Sequence, residues 1–129
     1  MSRRAVHTDA APQAIGTYSQ ALVVDRTAYL SGQIPLDPES MQIVAGGIRR
    51  EVEQVLANLA AVAAATGGSL EDVVKLTVYL TDLNDFETVN QVMAGEFDEP
   101  YPARAAVQVA ALPRGARVEI DAVLVLPGG

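Results

Sequence analysis

The chain has no cysteine, no tryptophan, one histidine (His7), one lysine (Lys75), and only four tyrosines and two phenylalanines in 129 residues. Without cysteine there is no disulfide, no thiolate nucleophile and no cysteine-ligated zinc. One histidine, placed in the N-terminal segment, leaves neither a Ser-His-Asp triad nor a histidine-rich metal site. Lys75 falls on the polar side of a strand-like run and reads as solvated rather than as a Schiff-base former. Nine basic residues against sixteen acidic ones give a net charge of −7, and no basic stripe exists to displace counterions from nucleic acid. Arg3-Arg4 and Arg49-Arg50, the adjacent basic pairs, read as solvated surface. The longest low-charge stretch, Val55 to Leu70, is broken by Asn58, Thr66, Gly67, Gly68 and Ser69 and is too interrupted to cross a bilayer. The opening residues lack the apolar core of a signal peptide, so a cytoplasmic protein is expected. Gly46-Gly47 and Gly67-Gly68 match no phosphate-cradling pattern, and Asp82, Asn84 and Asp85 lack the bidentate glutamate of a calcium loop. Neither cofactor nor metal is expected.

Half of the residues are apolar, many of them alanine, which fits one domain over residues 1–129 with a finely packed core. An oligomer would help to bury the remaining apolar faces. Thr8 to Gln20 is turn-rich and reads as irregular. Ala21-Leu22-Val23-Val24 and Ala28 to Gln33 form a hairpin around Asp25-Arg26, ended by Pro35, Asp37 and Pro38. Val52, Val55, Leu56, Leu59, Val62 and Ala63 fall at helical spacing, with Glu51 and Gln54 among the residues of the opposite, polar face. The spacing predicts an amphipathic helix from Ala45 to Thr66, stopped by Gly67-Gly68. Val74, Leu76, Val78 and Leu80 alternate with polar residues as in a half-buried strand. A second helix is predicted from about Asn84, capped by that side chain with Glu87 reaching back, and ended by Pro100. Its apolar stripe is Phe86, Val89, Met93 and Phe97. Strands over Arg104–Ala111 and Arg117–Leu126 close the order β-β-α-β-α-β-β, an α+β class with a mixed sheet and two helices on one face.

Two residues stand out against this apolar pattern, Arg104 and Glu119. Alternation puts Arg104 with Ala106, Gln108 and Ala110, and Glu119 with Arg117 and Asp121, away from Val118, Ile120, Ala122 and Leu124. Both are therefore expected on the sheet face not covered by helices. Each could be an ordinary exposed charge. Arg104, however, lies among alanines without a local counter-charge, and its planar fork suits a carboxylate ligand. Ser31-Gly32 could offer a hydroxyl and an open backbone to a ligand, or could mark a strand end that needs small residues. Tyr18 could pack with its hydroxyl in water. Asn90, mid-helix, either faces solvent or bonds a strand end.

The stretch Pro102-Ala103-Arg104-Ala105-Ala106-Val107-Gln108-Val109-Ala110-Ala111-Leu112-Pro113, followed by Arg117-Val118-Glu119-Ile120, resembles the signature of the RidA/YjgF family of enamine/imine deaminases. Four further blocks are similar to that family in the same order: Ala11 to Gln20, Leu30 to Pro35, Val74 to Leu80 and Asp82 to Asn90. The resemblance implies a chorismate-mutase-like α+β sandwich and a homotrimer with sites between subunits. It implies hydrolysis of species such as 2-aminoacrylate and 2-iminopropanoate to 2-keto acids and ammonia. By position, Arg104 would bind the substrate carboxylate and Glu119 would position or activate water. Tyr18, Ser31, Gly32, Asn90 and Ala106 would line or support the pocket. Ala106 stands where many members have cysteine, so thiol chemistry is not required there. The competing readings are a non-catalytic sensor of 2-keto acids, which needs Arg104 but not Glu119, and a structural trimer, which needs neither.

Overall fold

The computed structural model describes residues 2–128. Six strands and two helices follow in the order β1 (Arg3–Val6), β2 (Ala21–Val24), β3 (Thr27–Gln33), α1 (Ile48–Thr66), β4 (Val73–Leu80), α2 (Phe86–Glu96), β5 (Ala103–Gln108) and β6 (Val118–Val125). They form one mixed sheet ordered β1-β2-β3-β6-β4-β5. Every pairing is antiparallel except β4 with β5. That parallel pair needs a crossover connection, which α2 supplies. The α+β class with two helices on one face is as the pattern predicts. Among the described residues no helix is long and apolar enough to cross a membrane.

The core lies between the helices and one sheet face. Leu76, Val78 and Leu80 of β4 and Val118, Ile120, Ala122 and Leu124 of β6 pack there against Val52, Val55, Leu56, Leu59 and Val62 of α1 and Val89 of α2. The opposite face, with Tyr29, Lys75, Thr77, Tyr79, Glu119, Asp121 and Val123 in adjacent registers, carries no helix.

Several boundaries differ from the sequence expectation. β1 is an additional strand: four residues with two arginines have no strand signal of their own, and the edge of β2 recruits them. Arg4 is not simply solvated, since its guanidinium donates to the Thr66 carbonyl at the C-terminus of α1, 3.2 Å away, where a cation is favoured. α1 starts three residues late because Gly46 and Gly47 take φ of 119° and 96°, outside the helical region. Gly67, left-handed at φ 101°, closes the helix with its N–H on Ala64. A short 3₁₀ turn, Leu83–Asp85, precedes α2 and is capped by Asp82, whose carboxylate accepts from the Asn84 N–H at 2.9 Å, while α2 itself starts without a side-chain cap. The Asn84 side chain is not the cap, and the helix ends at Glu96, before Pro100. On β4 a register shift between Val73 and Lys75 turns Val73 into the core and leaves Val74 exposed, where strict alternation would bury Val74.

The polar side of α1 is only in part a solvent face: Arg49, Arg50 and Glu53 are exposed, but Glu51 and Gln54 are buried. Glu51, only 5 % exposed, accepts from Arg117 Nε at 2.9 Å and from its terminal nitrogen at 2.6 Å. Gln54 donates to Asn58, and Asn58 donates to the Leu36 carbonyl at 3.0 Å. Sequence spacing cannot reveal this, because the covering groups come from the 34–36 loop and the start of β6. Removing Arg117 strands a buried carboxylate, whereas removing Glu51 frees a half-exposed guanidinium to reach water. Arg117→Ala is therefore expected to lower stability by about 1–3 kcal/mol, and Glu51→Ala by less. Urea unfolding midpoints of the two variants check the asymmetry.

Candidate functional site

β5 is an edge strand, and its register sets the direction of Arg104. Leu76 pairs with Arg104 and Val78 with Ala106, so both side chains share the face of the core residues Leu76 and Val78. This overturns the expectation that Arg104 points away from the helices. The outward alternation assumed there belongs to a strand continuing the antiparallel pattern, whereas β5 runs parallel to β4 beneath α2. Arg104 NH1 donates to Asn90 Oδ1 at 2.6 Å, and its guanidinium carbon stands 4.8 Å from the centre of the Phe86 ring. Met93 Sδ is 3.9 Å from the same nitrogen. Phe86, Asn90 and Met93 are spaced i, i+4, i+7, so one stripe of α2 forms the cradle. Asn90 is thus the strand-bonded alternative, while Phe86 and Met93 were legible as an apolar stripe but not as walls of a cation site.

The ion pairs among the described residues are His7 with Asp9 and Arg117 with Glu51. Among the described residues no carboxylate engages Arg104, which is exposed and borders a cavity of about 410 Å³ also lined by Asn90, Met93, Ala94, Phe97, Tyr101 and Pro102. An oriented guanidinium with free donors beside a largely apolar hollow suits a small acid with a carbon tail.

Glu119 lies on the opposite face. Val118 and Ile120 enter the core, and Glu119 pairs with Tyr79 on the face without helices. A register shift between Leu30 and Gln33 makes a bulge at Ser31–Gly32, and Glu119 leans over it. A Cβ at Gly32 would stand 2.3 Å from Glu119 Oε2. Gly32 is therefore the residue that makes room for this carboxylate. Burial, and second the nearby Asp121 charge, push the Glu119 carboxyl above the usual carboxylate range. Tyr79 donates its hydroxyl to Asp121 at 3.0 Å.

The Ser31 hydroxyl donates to the Ser19 carbonyl at 2.6 Å, and its N–H to Gln20 at 3.0 Å. Buried Gln20 in turn holds the 8–12 segment through Thr8, Ala11 and Pro12. These bonds fasten the Tyr18–Ser19 loop beside the bulge. Tyr18 is exposed and accepts from the Ile15 N–H at 3.4 Å. Ser19, Leu22, Tyr29, Leu30 and Ser31 line a shallower hollow of about 250 Å³. The candidate residues thus form two groups: Arg104, Asn90 and Ala106 on the helix side, and Glu119, Gly32, Ser31 and Tyr18 around the bulge. Ala106 itself packs against the core.

A family model described as Endoribonuclease L-PSP matches residues 8–126. The chain belongs to the RidA/YjgF family. It is 53% identical over 123 residues to human 2-iminobutanoate/2-iminopropanoate deaminase, covering 95% of this chain and 90% of that protein. It is 54% identical to Protein DfrA of Myxococcus xanthus, covering 97% of each. Among solved structures, RidA from an Antarctic Psychrobacter superposes with a TM-score of 0.92 at 53% identity, covering 95% of this chain and 99% of that one. E. coli TdcF with bound serine gives 0.91 at 40% identity, covering 96% and 99%.

Gly32 and Glu119 form a pair that can be tested without any assay of turnover in this RidA/YjgF chain. Gly32→Ala forces the carboxylate aside and, because the colliding atoms end a flexible side chain, is expected to cost no more than about 1 kcal/mol of stability. In a Glu119→Ala background the same change should cost much less, because the colliding atoms are gone. Denaturation midpoints of the four-member cycle measure the coupling.

Proposed function

We propose that this protein is a hydrolytic deaminase of small enamines and imines, converting 2-imino acids to 2-keto acids and ammonia. The observation that carries the reading is Arg104, a guanidinium held by Asn90 and Phe86, engaged by no carboxylate among the described residues and open to a cavity. The name carried by relatives at 53% identity supports it, as does the serine bound to E. coli TdcF, a ligand with the same carboxylate-bearing end. The net charge of −7 argues for small anions met at a local cation rather than for a nucleic-acid partner.

Arg104 and Glu119 occupy opposite sheet faces of one chain, so a site that uses both is best made between copies. We read the assembly as a cytoplasmic homotrimer of single 1–129 domains with a chorismate-mutase-like arrangement. Arg104, Asn90 and the Ala106 backbone of one subunit would face Glu119, Gly32, Ser31 and Tyr18 of the next. The chemistry then needs no metal and no cofactor. Arg104 holds the carboxylate and fixes the C=N carbon next to it, while Glu119 takes a proton from water as the oxygen adds to that carbon. Glu119 passes that proton to the nitrogen, giving a carbinolamine; the proton of the new hydroxyl then moves to the nitrogen as the C=O forms, the C–N bond breaks and ammonia leaves. An enamine first gains a proton at C3. An imine carbon is already electrophilic, so positioning and one proton-transfer group suffice.

Light scattering at micromolar concentration is expected to give three times the 13.6 kDa chain mass; a monomer throughout would remove the intersubunit site.

The direct test generates 2-aminoacrylate with a pyridoxal-phosphate lyase and follows keto-acid release. Glu119→Gln should lose about 10²–10⁴-fold in rate yet bind a 2-keto acid as well as the parent. Arg104→Lys should lose binding, because the two-pronged contact is gone. Full turnover in Glu119→Gln would discard its role in handling water.

A further inference from the structure

Glu119 has an acidic neighbour on the same face of the same strand. Two positions along β6, Asp121 projects to the same side, and the two carboxylates lean towards different neighbouring strands. Glu119 lies over the Gly32 bulge of β3, while Asp121 accepts the Tyr79 hydroxyl from β4 at 3.0 Å. Tyr79 is the cross-strand partner of Glu119 and Thr77 that of Asp121, so the Tyr79–Asp121 bond is a diagonal one that draws Asp121 towards β4. From this geometry we propose that Asp121, fixed by Tyr79, is a positioning residue for Glu119. Its charge holds the Glu119 carboxylate over the bulge and makes it a stronger proton acceptor.

Three observations support the assignment. Like charges on one strand face repel, and here Tyr79 ties Asp121 towards β4 while the missing side chain of Gly32 leaves Glu119 room over β3. The Tyr79 phenol is pushed above its usual range, first by its hydrogen bond to Asp121 and then by burial, so it stays a donor to Asp121. Burial, and second the Asp121 charge, raise the Glu119 carboxyl, and among the described residues no side chain or backbone group bonds its oxygens. The other titratable groups in adjacent registers on this face are Lys75 on β4 and Tyr29 on β3, both aligned with Val123, two positions beyond Asp121. Tyr18 stands at the far side of the bulge. β5 contributes only Ala103, Ala105 and Val107 to this side. Arg117, two positions before Glu119, turns its guanidinium to Glu51 of α1, so Asp121 is the charged neighbour of Glu119 on this face of β6.

The inference rests on Glu119 as the proton acceptor of the proposed reaction, and the test separates the two. The full-length protein is labelled with carboxyl-¹³C glutamate, and the Glu119 signal is assigned by its loss in Glu119→Gln. In Asp121→Asn the Glu119 titration midpoint should fall, because the like charge that disfavoured its anion is gone. The acidic limb of the kcat/KM–pH profile should fall with it, and the plateau rate should drop, since a weaker base takes the water proton. Tyr79→Phe should move both quantities in the same direction by less, and Glu119→Gln should abolish the limb. An unchanged Glu119 midpoint in Asp121→Asn overturns the coupling. A midpoint that moves while the kinetic limb stays fixed shows that Glu119 is not the titrating group in turnover, and overturns both the positioning role and the reading beneath it. If Asp121→Asn does not fold, Tyr79→Phe decides alone, and unchanged values there refute the assignment.

Discussion

β4 is hydrogen-bonded along both edges, antiparallel to β6 and parallel to β5, and its register decides which face each chemically interesting residue occupies. Because side chains alternate with a period of two, pairing Leu76 with Arg104 turns the arginine under α2. Pairing Tyr79 with Glu119 turns the glutamate to the face without helices. A one-residue slip on the β6 edge would place Glu119 in the core, and one on the β5 edge would turn Arg104 away from α2. The extra residue at Val74 preserves the arrangement by absorbing the mismatch before the central stretch of β4 begins.

Around this hub, buried polar side chains fix segments that have no regular structure to hold them. Gln20, Asn58 and Glu51 each engage backbone or charge far away in sequence, at the 8–12 segment, the 34–36 loop and Arg117. Each is satisfied, so burial carries no uncompensated polar group. The Gln20 and Ser31 bonds matter most for the candidate site. They bring the Tyr18–Ser19 loop to the bulge where Gly32 admits Glu119, so a structural network and the proposed proton-transfer group share one strand end. Ser31 in particular has its hydroxyl engaged by Ser19, which makes it a support for the bulge.

The division of candidate residues between two faces explains why the chain reads as an incomplete site when taken alone. Arg104 has its orienting partners, Asn90 and Phe86, within the same chain. Glu119 has its room, Gly32, and its neighbour, Asp121, also within the chain. Neither group reaches the other without a second copy, and the face that bears Glu119 has no helix to cover it. The same feature that makes the site intersubunit in our reading therefore also supplies the surface for assembly.

The amino-acid sequence by itself determined the α+β class, the two amphipathic helices, the β2–β3 hairpin, and Arg104 and Glu119 as unusual charges. Those features are written in local spacing: period 3.6 for a helix, period 2 for a strand, glycine at a left-handed stop. The family was legible too, because five blocks keep their order along the chain. Tertiary structure alone decided the rest. β1 exists because β2 offers an edge, Glu51 is buried because Arg117 arrives from 66 residues away, and Val73 replaces Val74 in the core because of a bulge. Above all, the faces of Arg104 and Glu119 depend on strand order and pairing direction, which are relations between distant segments. No local pattern around either residue carries that information.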